Sequence, residues 1–594
     1  MATGIPRVLL ALATATTLAA EPVLARAQAA AAPVLVEATS LSLRDDATPP
    51  IDARHRRLSF RSSTGRAAPE SRIVPPAPGS ADDPTVAGGA LYVASTAGSG
   101  EIVRVTLPAS GWTALGSASR PRGFSYRDRT PGAPVAQVTV GADRISLRAS
   151  GAGWGYTLDE PQQGRIALRV DLGGSAWCAE APARAIGNPP STASTDAPGR
   201  FTGQSKAPPP AACGVNHLTV TNGYGSGMYP SGATVHVFAD VRPQDQLVTG
   251  WTGDVPLLDD PDEWHSTLVM PPADASLSAT VVDRPTTLVT TTYTGSTTRA
   301  KMVRAQIPPG ARGLVLMLHG TGGGAGFILQ DESFALALRL LEAGFGVLGT
   351  EAEEAVAGDL NGDGKERWDA GLTAGNVDFA NLDALIASLR AAGTIGPTTP
   401  LHVLGMSNGG SMSLSLGAIA ASPVAASFPN LRFAAAISFC ADGRATSAAI
   451  TTTPTAWLMC GNDDNAEVDN AAAAANSAGL AARGVATAFA AHPPAPLYGE
   501  RFARVVGVTL AESQAMAAEL RAAGFVGADG FVALSTDAII ATVTAQPSLW
   551  PTLVAQPGGV RADVVDQLRA TQAEHQMYSD WAARAVAWLE ANEP

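Results

Sequence analysis

Charge is scarce in this chain. Only 16% of its 594 residues are charged, and 53 acidic residues outnumber 40 basic ones, for a net charge of −13. No basic tract stands out, which excludes nucleic acid and anionic lipid as main partners, because both are drawn by clustered positive charge. Beyond the first residues there is no long apolar run, so no membrane span is expected. A glycine-rich loop, Gly320-Thr321-Gly322-Gly323-Gly324, is followed by Ala325 and lacks the lysine that a phosphate-cradling loop requires, which excludes that class of nucleotide site. Cysteine is limited to four residues and histidine to eight. From Val34 to Cys178 there is no cluster of His, Cys, Asp or Glu that would suggest a site.

What is present begins with M-A-T-G-I-P-R and an apolar run from Val8 to Ala20, followed by Ala25-Arg26-Ala27. One positive charge, a short apolar stretch and an A-x-A site read as a signal peptide, 1–27, against a short membrane anchor as the alternative. Export to the periplasm or beyond the cell makes two disulfides the natural state of the cysteines. Pairing by neighbourhood gives Cys178–Cys213 and Cys440–Cys460, one of three connectivities, with free buried thiols as the alternative.

At this length and an apolar content of 46%, several domains are expected. Residues 34–178 show short apolar alternations broken by Gly, Pro, Asp and Ser, which reads as an all-β sandwich. Its Asp82-Asp83-Pro84-Thr85, Gly88-Gly89 and Trp177-Cys178 segments resemble an accessory β domain of secreted proteins from soil bacteria. Residues 179–212 are rich in Pro, Ala, Ser and Thr, a composition expected to form an extended linker. Residues 213–284 alternate strands with glycine turns, as in a small β module. The G-S-G-M-Y, G-W-T-G-D and V-M-P segments resemble the bacterial repeat domain, which implies a spacer or a contact surface for a cell wall or polymer. From 285 to 594 strands alternate with amphipathic helices, the pattern of a doubly wound α/β sheet.

The organising stretch is L-H-V-L-G-M-S-N-G-G, Leu401 to Gly410. A short apolar run enters Gly405, turns at Ser407, passes Gly409 and leaves into a small-residue helix. A serine on so tight a turn needs neighbours almost without side chains, and its hydroxyl is presented beside a helix N-terminus whose N–H groups can hold developing negative charge. With 61 glycines in the chain, the pattern would arise by chance with a probability on the order of a few tenths, so context decides. Ser407 reads as a nucleophile, with a capping serine as the bland alternative. His319-Gly320, the G-x-S-x-G turn and the chain order Ser, acid, His resemble the α/β-hydrolase family over roughly half the chain. The relatives implied are secreted esterases similar to polyhydroxybutyrate depolymerases and feruloyl esterases.

That resemblance assigns the remaining roles. The oxyanion donors are the N–H of Asn408 and that of Thr321, with Gly322 as substitute and His319 as a structural support. The acid follows the strand ending W-L-M-C-G-N-D-D. Asp464 fits the commoner family spacing and Asp463 is the alternative, while capping of the next helix is the structural reading. The base is His575, before a final helix that Ser579 could cap. His492, followed by two prolines, is the alternative base or a substrate contact. Residues 493–570 read as a helical lid in which Tyr498, Phe525 and Trp550 line a pocket, or as a packed subdomain. The substrate implied is an ester, polymeric or small, with no catalytic cofactor. A serine peptidase, or a surface-binding protein with an inactive hydrolase fold, stays open. D-L-N-G-D-G-K-E-R-W-D sets Asp359, Asn361 and Asp363 at calcium-loop spacing, with Asp369 one residue early for the last ligand; a pair of Asn-Gly and Asp-Gly turns is the alternative.

Overall fold

The computed structural model describes residues 32–46, 52–64, 71–97, 101–117, 119–527 and 529–594. The expected signal peptide lies outside them. No helix among the described residues is long and apolar enough to cross a membrane. The chain forms two compact units, up to Gly214 and from Val215 onward.

Among the described residues the first unit is built from two sheets of five and eight strands around one apolar core that includes Phe60, Phe124, Trp154, Tyr156 and Phe201. Strands such as Arg57–Ser63 alternate exposed and buried residues along their length, as a sheet with one face on a core must. The expected linker 179–212 is not one. Arg200–Thr202 pairs with Ser40–Arg44, Phe201 is fully buried, and the Asp196 carboxylate accepts the Gln163 and Gly164 N–H groups, each at 2.8 Å. A Pro-rich composition hides such a segment because its order comes from hydrogen bonds to neighbouring strands rather than from its own apolar content. Cys178 and Cys213 are bonded, with sulfurs 2.07 Å apart.

In the second unit, residues up to Asp283 form a small β module of a four-stranded and a three-stranded sheet. Its core holds Val220, Val237, Trp251 and Trp264, and the Trp251 indole N–H donates to the Glu263 carbonyl at 2.9 Å. The module is not a free-standing spacer. Ala495, from the helical insertion, packs into the same core, and Tyr498 stacks on Phe238 with centroids 4.2 Å apart.

The rest is an eight-stranded sheet, β1 (Val289–Thr294), β2 (Ala300–Gln306), β3 (Leu314–Leu318), β4 (Gly346–Thr350), β5 (Leu401–Met406), β6 (Phe433–Phe439), β7 (Thr455–Cys460) and β8 (Thr487–His492). The spatial order is β1-β2-β4-β3-β5-β6-β7-β8, with β2 antiparallel to both neighbours and every other pair parallel. Helices α1 (Asp331–Glu342), α2 (Val377–Ala391), α3 (Asn408–Ala418), α4 (Asn470–Ala482), α5 (Leu510–Ala522), α6 (Thr536–Ala545), α7 (Gly558–Thr571) and α8 (Ala582–Ala591) accompany it. Every residue of β3, β4, β5 and β7 is buried, because helices cover both faces and the strands become continuous apolar runs. Val315 and Met317 share one core with Leu336, Leu340 and Leu589. Leu314, Leu316 and Leu318 share the other with Phe379, Leu382, Met412 and Leu416. The two-residue period of one strand thus fills both layers.

Candidate active site

Ser407 sits between β5 and α3 at φ 58° and ψ −125°. This conformation is costly for any residue with a side chain and persists only where the surroundings impose it. Two glycines make room. A Cβ on Gly405 would lie 2.3 Å from the Gly409 carbonyl, and one on Gly409 would lie 2.3 Å from the Leu318 carbonyl oxygen and 2.5 Å from that of His319. Gly409→Ala should therefore lose roughly 1–3 kcal/mol or more in urea unfolding, because both clashing groups are backbone of a packed strand end. A transition midpoint equal to wild type would contradict this.

The Ser407 hydroxyl lies 2.8 Å from His575 Nε2, and His575 Nδ1 lies 2.8 Å and 3.0 Å from the two carboxylate oxygens of Asp463. These residues stand in three separate loops. The first follows β5, the second follows β7 and the third lies between α7 and α8. The last two are clamped to each other. Asn462 N–H donates to the Ala573 carbonyl at 2.9 Å, the Asn462 side-chain amide donates to the Gln572 carbonyl at 3.0 Å, and Gly461 N–H donates to the His492 carbonyl at 2.9 Å. A disulfide between Cys440 and Cys460 joins the ends of β6 and β7 beneath this clamp, its sulfurs 3.5 and 3.3 Å from the Gln576 carbonyl oxygen.

Asp463, not the expected Asp464, faces the imidazole. Its side chain is 1% exposed and also accepts the Asn465 N–H at 3.0 Å. That turn directs the next residue, Asp464, out to solvent. Neither aspartate caps a helix, since α4 starts at Asn470 and is capped by Asp469. Family spacing misplaced the acid by one residue because Gly461 and Asn462 are both consumed in holding the loop. His492 is 2% exposed, stacks on Tyr578 at 4.4 Å and lies 3.2 Å from Asp580 Oδ2. It reaches neither Ser407 nor the cleft described next. Ser579 does not cap α8; its N–H and hydroxyl donate to Glu332.

A cleft of about 230 Å³ opens at Ser407, lined by Trp368, Asn408, Ser411 and Ala441 together with Glu354, Arg367, Asp369, Arg444 and Glu467. No described residue of 493–570 lines it. The insertion forms its own core, with Trp550 fully buried and Phe525 6% exposed. Tyr498 packs on the β module, so the three aromatics assigned to a pocket are instead spent on packing.

Asn408 opens α3, so no preceding carbonyl of the helix can take its N–H or that of Gly409. On the β3 loop the Gly322 N–H is taken by the Glu366 carbonyl at 2.7 Å, and the neighbouring residue Thr321 is exposed. The Asn408 side chain grips Trp368, accepting its N–H at 2.8 Å and donating to its carbonyl at 3.2 Å, while the Trp368 indole donates to the His319 carbonyl at 3.0 Å. This brace between the acidic loop and the serine turn had no signal in the sequence. His319 donates from Nδ1 to the Gly320 carbonyl at 2.7 Å and accepts the Ala352 N–H at Nε2, 3.1 Å away.

Burial holds the His319 imidazole down to about 4, and burial likewise holds His236 and His402 down to about 4. These rings are neutral when folded and take up protons when unfolded, starting at their ordinary value of 6.5. Stability should therefore be lost as pH falls from 6.5 toward 4. Melting temperatures across that window measure it, and a flat profile would refute it.

No protein-family model and no curated protein matches this chain. Among solved structures it is similar to an α/β serine hydrolase without a lid from Xanthomonas campestris, at 17% identity and a TM-score of 0.24, over 36% of this chain and 86% of that one. It is also similar to a dienelactone hydrolase from Anabaena variabilis, at 20% identity and a TM-score of 0.26, over 35% and 86%. An esterase from Pyrococcus furiosus matches at 11% identity and a TM-score of 0.26, over 34% and 82%. What the site does is read from its own geometry.

Proposed function

We propose that this chain is a serine hydrolase that cleaves carboxylic ester bonds through an acyl-enzyme. The observation that carries the reading is the unbroken hydrogen-bond chain from Ser407 through His575 to Asp463. Ser407 Oγ attacks the ester carbonyl carbon as His575 Nε2 takes its proton. Asp463 holds the Nδ1–H tautomer and stabilises the imidazolium. The N–H groups of Asn408 and Thr321 hold the oxyanion, favoured by the N-terminus of α3. His575 returns the proton to the leaving alcohol oxygen, and water then repeats the sequence to free the acid and restore the serine.

The open, largely polar cleft favours substrates that lie across the surface, and a polyester chain is one such substrate. The two β modules then serve as contact surfaces for polymer or cell wall. The apolar N-terminal run and the two disulfides support a location outside the cytoplasm. Fluorophosphonate labelling followed by a panel of short-acyl, long-acyl, aryl and insoluble polyester substrates tests the reading. A folded protein that takes no label and cleaves none of the panel overturns it.

Calcium at Asp359, Asn361, Asp363 and Asp369 belongs to the same reading, as a brace for the loop that carries Trp368. In the structure Asp359 accepts the Gly362 and Gly364 N–H groups, each at 2.7 Å, Asp363 pairs with Arg367, and Asp369 accepts the Gly371 N–H at 2.8 Å. An ion must displace some of these contacts. Added calcium should raise the melting temperature in wild type and not in Asp359→Asn; an unchanged wild-type transition removes calcium from the account.

A further inference from the structure

Behind the triad, five residues along from His575, lies a second cluster that hydrolysis does not use. Asp580 is 3% exposed. Its Oδ2 lies 2.6 Å from His265 Nδ1 and 3.2 Å from His492 Nε2, and these three groups come within 4.8 Å of one another. Its other oxygen, Oδ1, has no hydrogen-bond partner among the described residues. A buried carboxylate with one oxygen bare is expensive, and both imidazoles crowd on the other oxygen.

We propose that His265, His492 and Asp580 form a closed binding site for a divalent transition-metal ion of the zinc type. Two imidazole nitrogens and a carboxylate using both oxygens supply four donors. Imidazole nitrogen with carboxylate oxygen suits zinc, whereas magnesium and calcium call for oxygen alone. With bonds of about 2.0–2.1 Å, donors on different residues stand roughly 3.3 Å apart around such an ion, while the two oxygens of one carboxylate are held closer by their shared carbon. The His492–Asp580 separation already has that value, and the His265–Asp580 contact opens to it when the ion enters. The outer nitrogen of His265, Nε2, lies 3.0 Å from His236 Nδ1. Donation of Nε2–H to His236 turns the Nδ1 lone pair toward the ion, as the partners of metal-bound histidines do. Nearby, Glu332 faces Arg504 at 3.0 Å and Arg501 at 3.7 Å, so that these two cations are matched only when the Asp580 carboxylate is counted with Glu332.

The three ligands come from a strand of the β module (His265–Val269), the end of β8 and the segment before α8. The ion therefore ties the module to the catalytic sheet. It also steadies the stretch that carries His575 from one side and, through the His492 carbonyl on Gly461, the Asp463 loop from the other.

The test is the metal content of the full chain expressed in zinc-supplemented medium and desalted, with cobalt substitution as a spectroscopic probe. One zinc per chain, a visible absorption band of tetrahedral cobalt, and loss of both in His265→Gln and His492→Gln but not in Asp359→Asn are expected. Wild type free of zinc both after such expression and after refolding with zinc overturns the site. Full zinc retention in folded His265→Gln and His492→Gln overturns it too, because the ion then sits elsewhere. A zinc-free wild type overturns the site even if the variants fail to fold, and in that case Asp580→Asn takes their place in locating the ion.

Discussion

Ser407→Ala should lower ester hydrolysis by roughly a thousandfold or more and abolish fluorophosphonate labelling, with the urea transition of the wild type retained. The size of the effect follows from chemistry: without Oγ there is no covalent intermediate, and only the oxyanion donors and binding remain to assist water. The preserved fold follows from contacts. Among the described residues the hydroxyl's one hydrogen bond is to His575 Nε2, and alanine keeps the Cβ that already packs beside the glycine at position 320. The turn itself is imposed by Gly405 and Gly409, which the substitution leaves alone. The two readouts separate the possibilities. Activity lost with labelling retained elsewhere would put the nucleophile at another serine. Activity retained would end the acyl-enzyme reading altogether.

The serine turn was legible because its constraint is local. Two glycines, a strand and a helix lie within ten residues, and the close approach of backbones that demands them is fixed by that segment alone. The α/β layering was legible for a related reason, since helical and strand periods alternate along 285–594 and no other architecture buries both. The choice between Asp463 and Asp464 was not. It depends on the hydrogen bonds of Asn462 to Gln572 and Ala573, residues 110 positions or more away, and no spacing rule contains them. The insertion misled for a different reason. Tyr498, Phe525 and Trp550 are what a substrate pocket needs and equally what a small helical core needs, and composition cannot tell the two apart. The linker erred in the same sense, its few buried residues being too sparse to announce a sheet edge.

Asp463→Asn should reduce kcat by a factor on the order of a thousand or more, and Asp464→Asn should leave it close to wild type. In the first variant the amide can present N–H to Nδ1, which favours the tautomer with its proton on Nε2, so that the ring no longer accepts the serine proton. Asp464 is exposed, and among the described contacts its side chain has no hydrogen bond to Ser407 or His575. The base divides the same way. His575→Ala should match the loss in Ser407→Ala, and combining the two should cost little more than either alone, because residues acting as one unit are far from additive. His492→Gln should instead show itself in melting, through the uncovered Asp580, with a much smaller change in kcat. Kinetics on one ester and thermal melts on the wild type and all six variants measure both axes. A His492 variant that stays folded yet loses activity as completely as His575→Ala would require a proton path through Asp580 that these contacts do not provide, and the assignment of the base would fall with it.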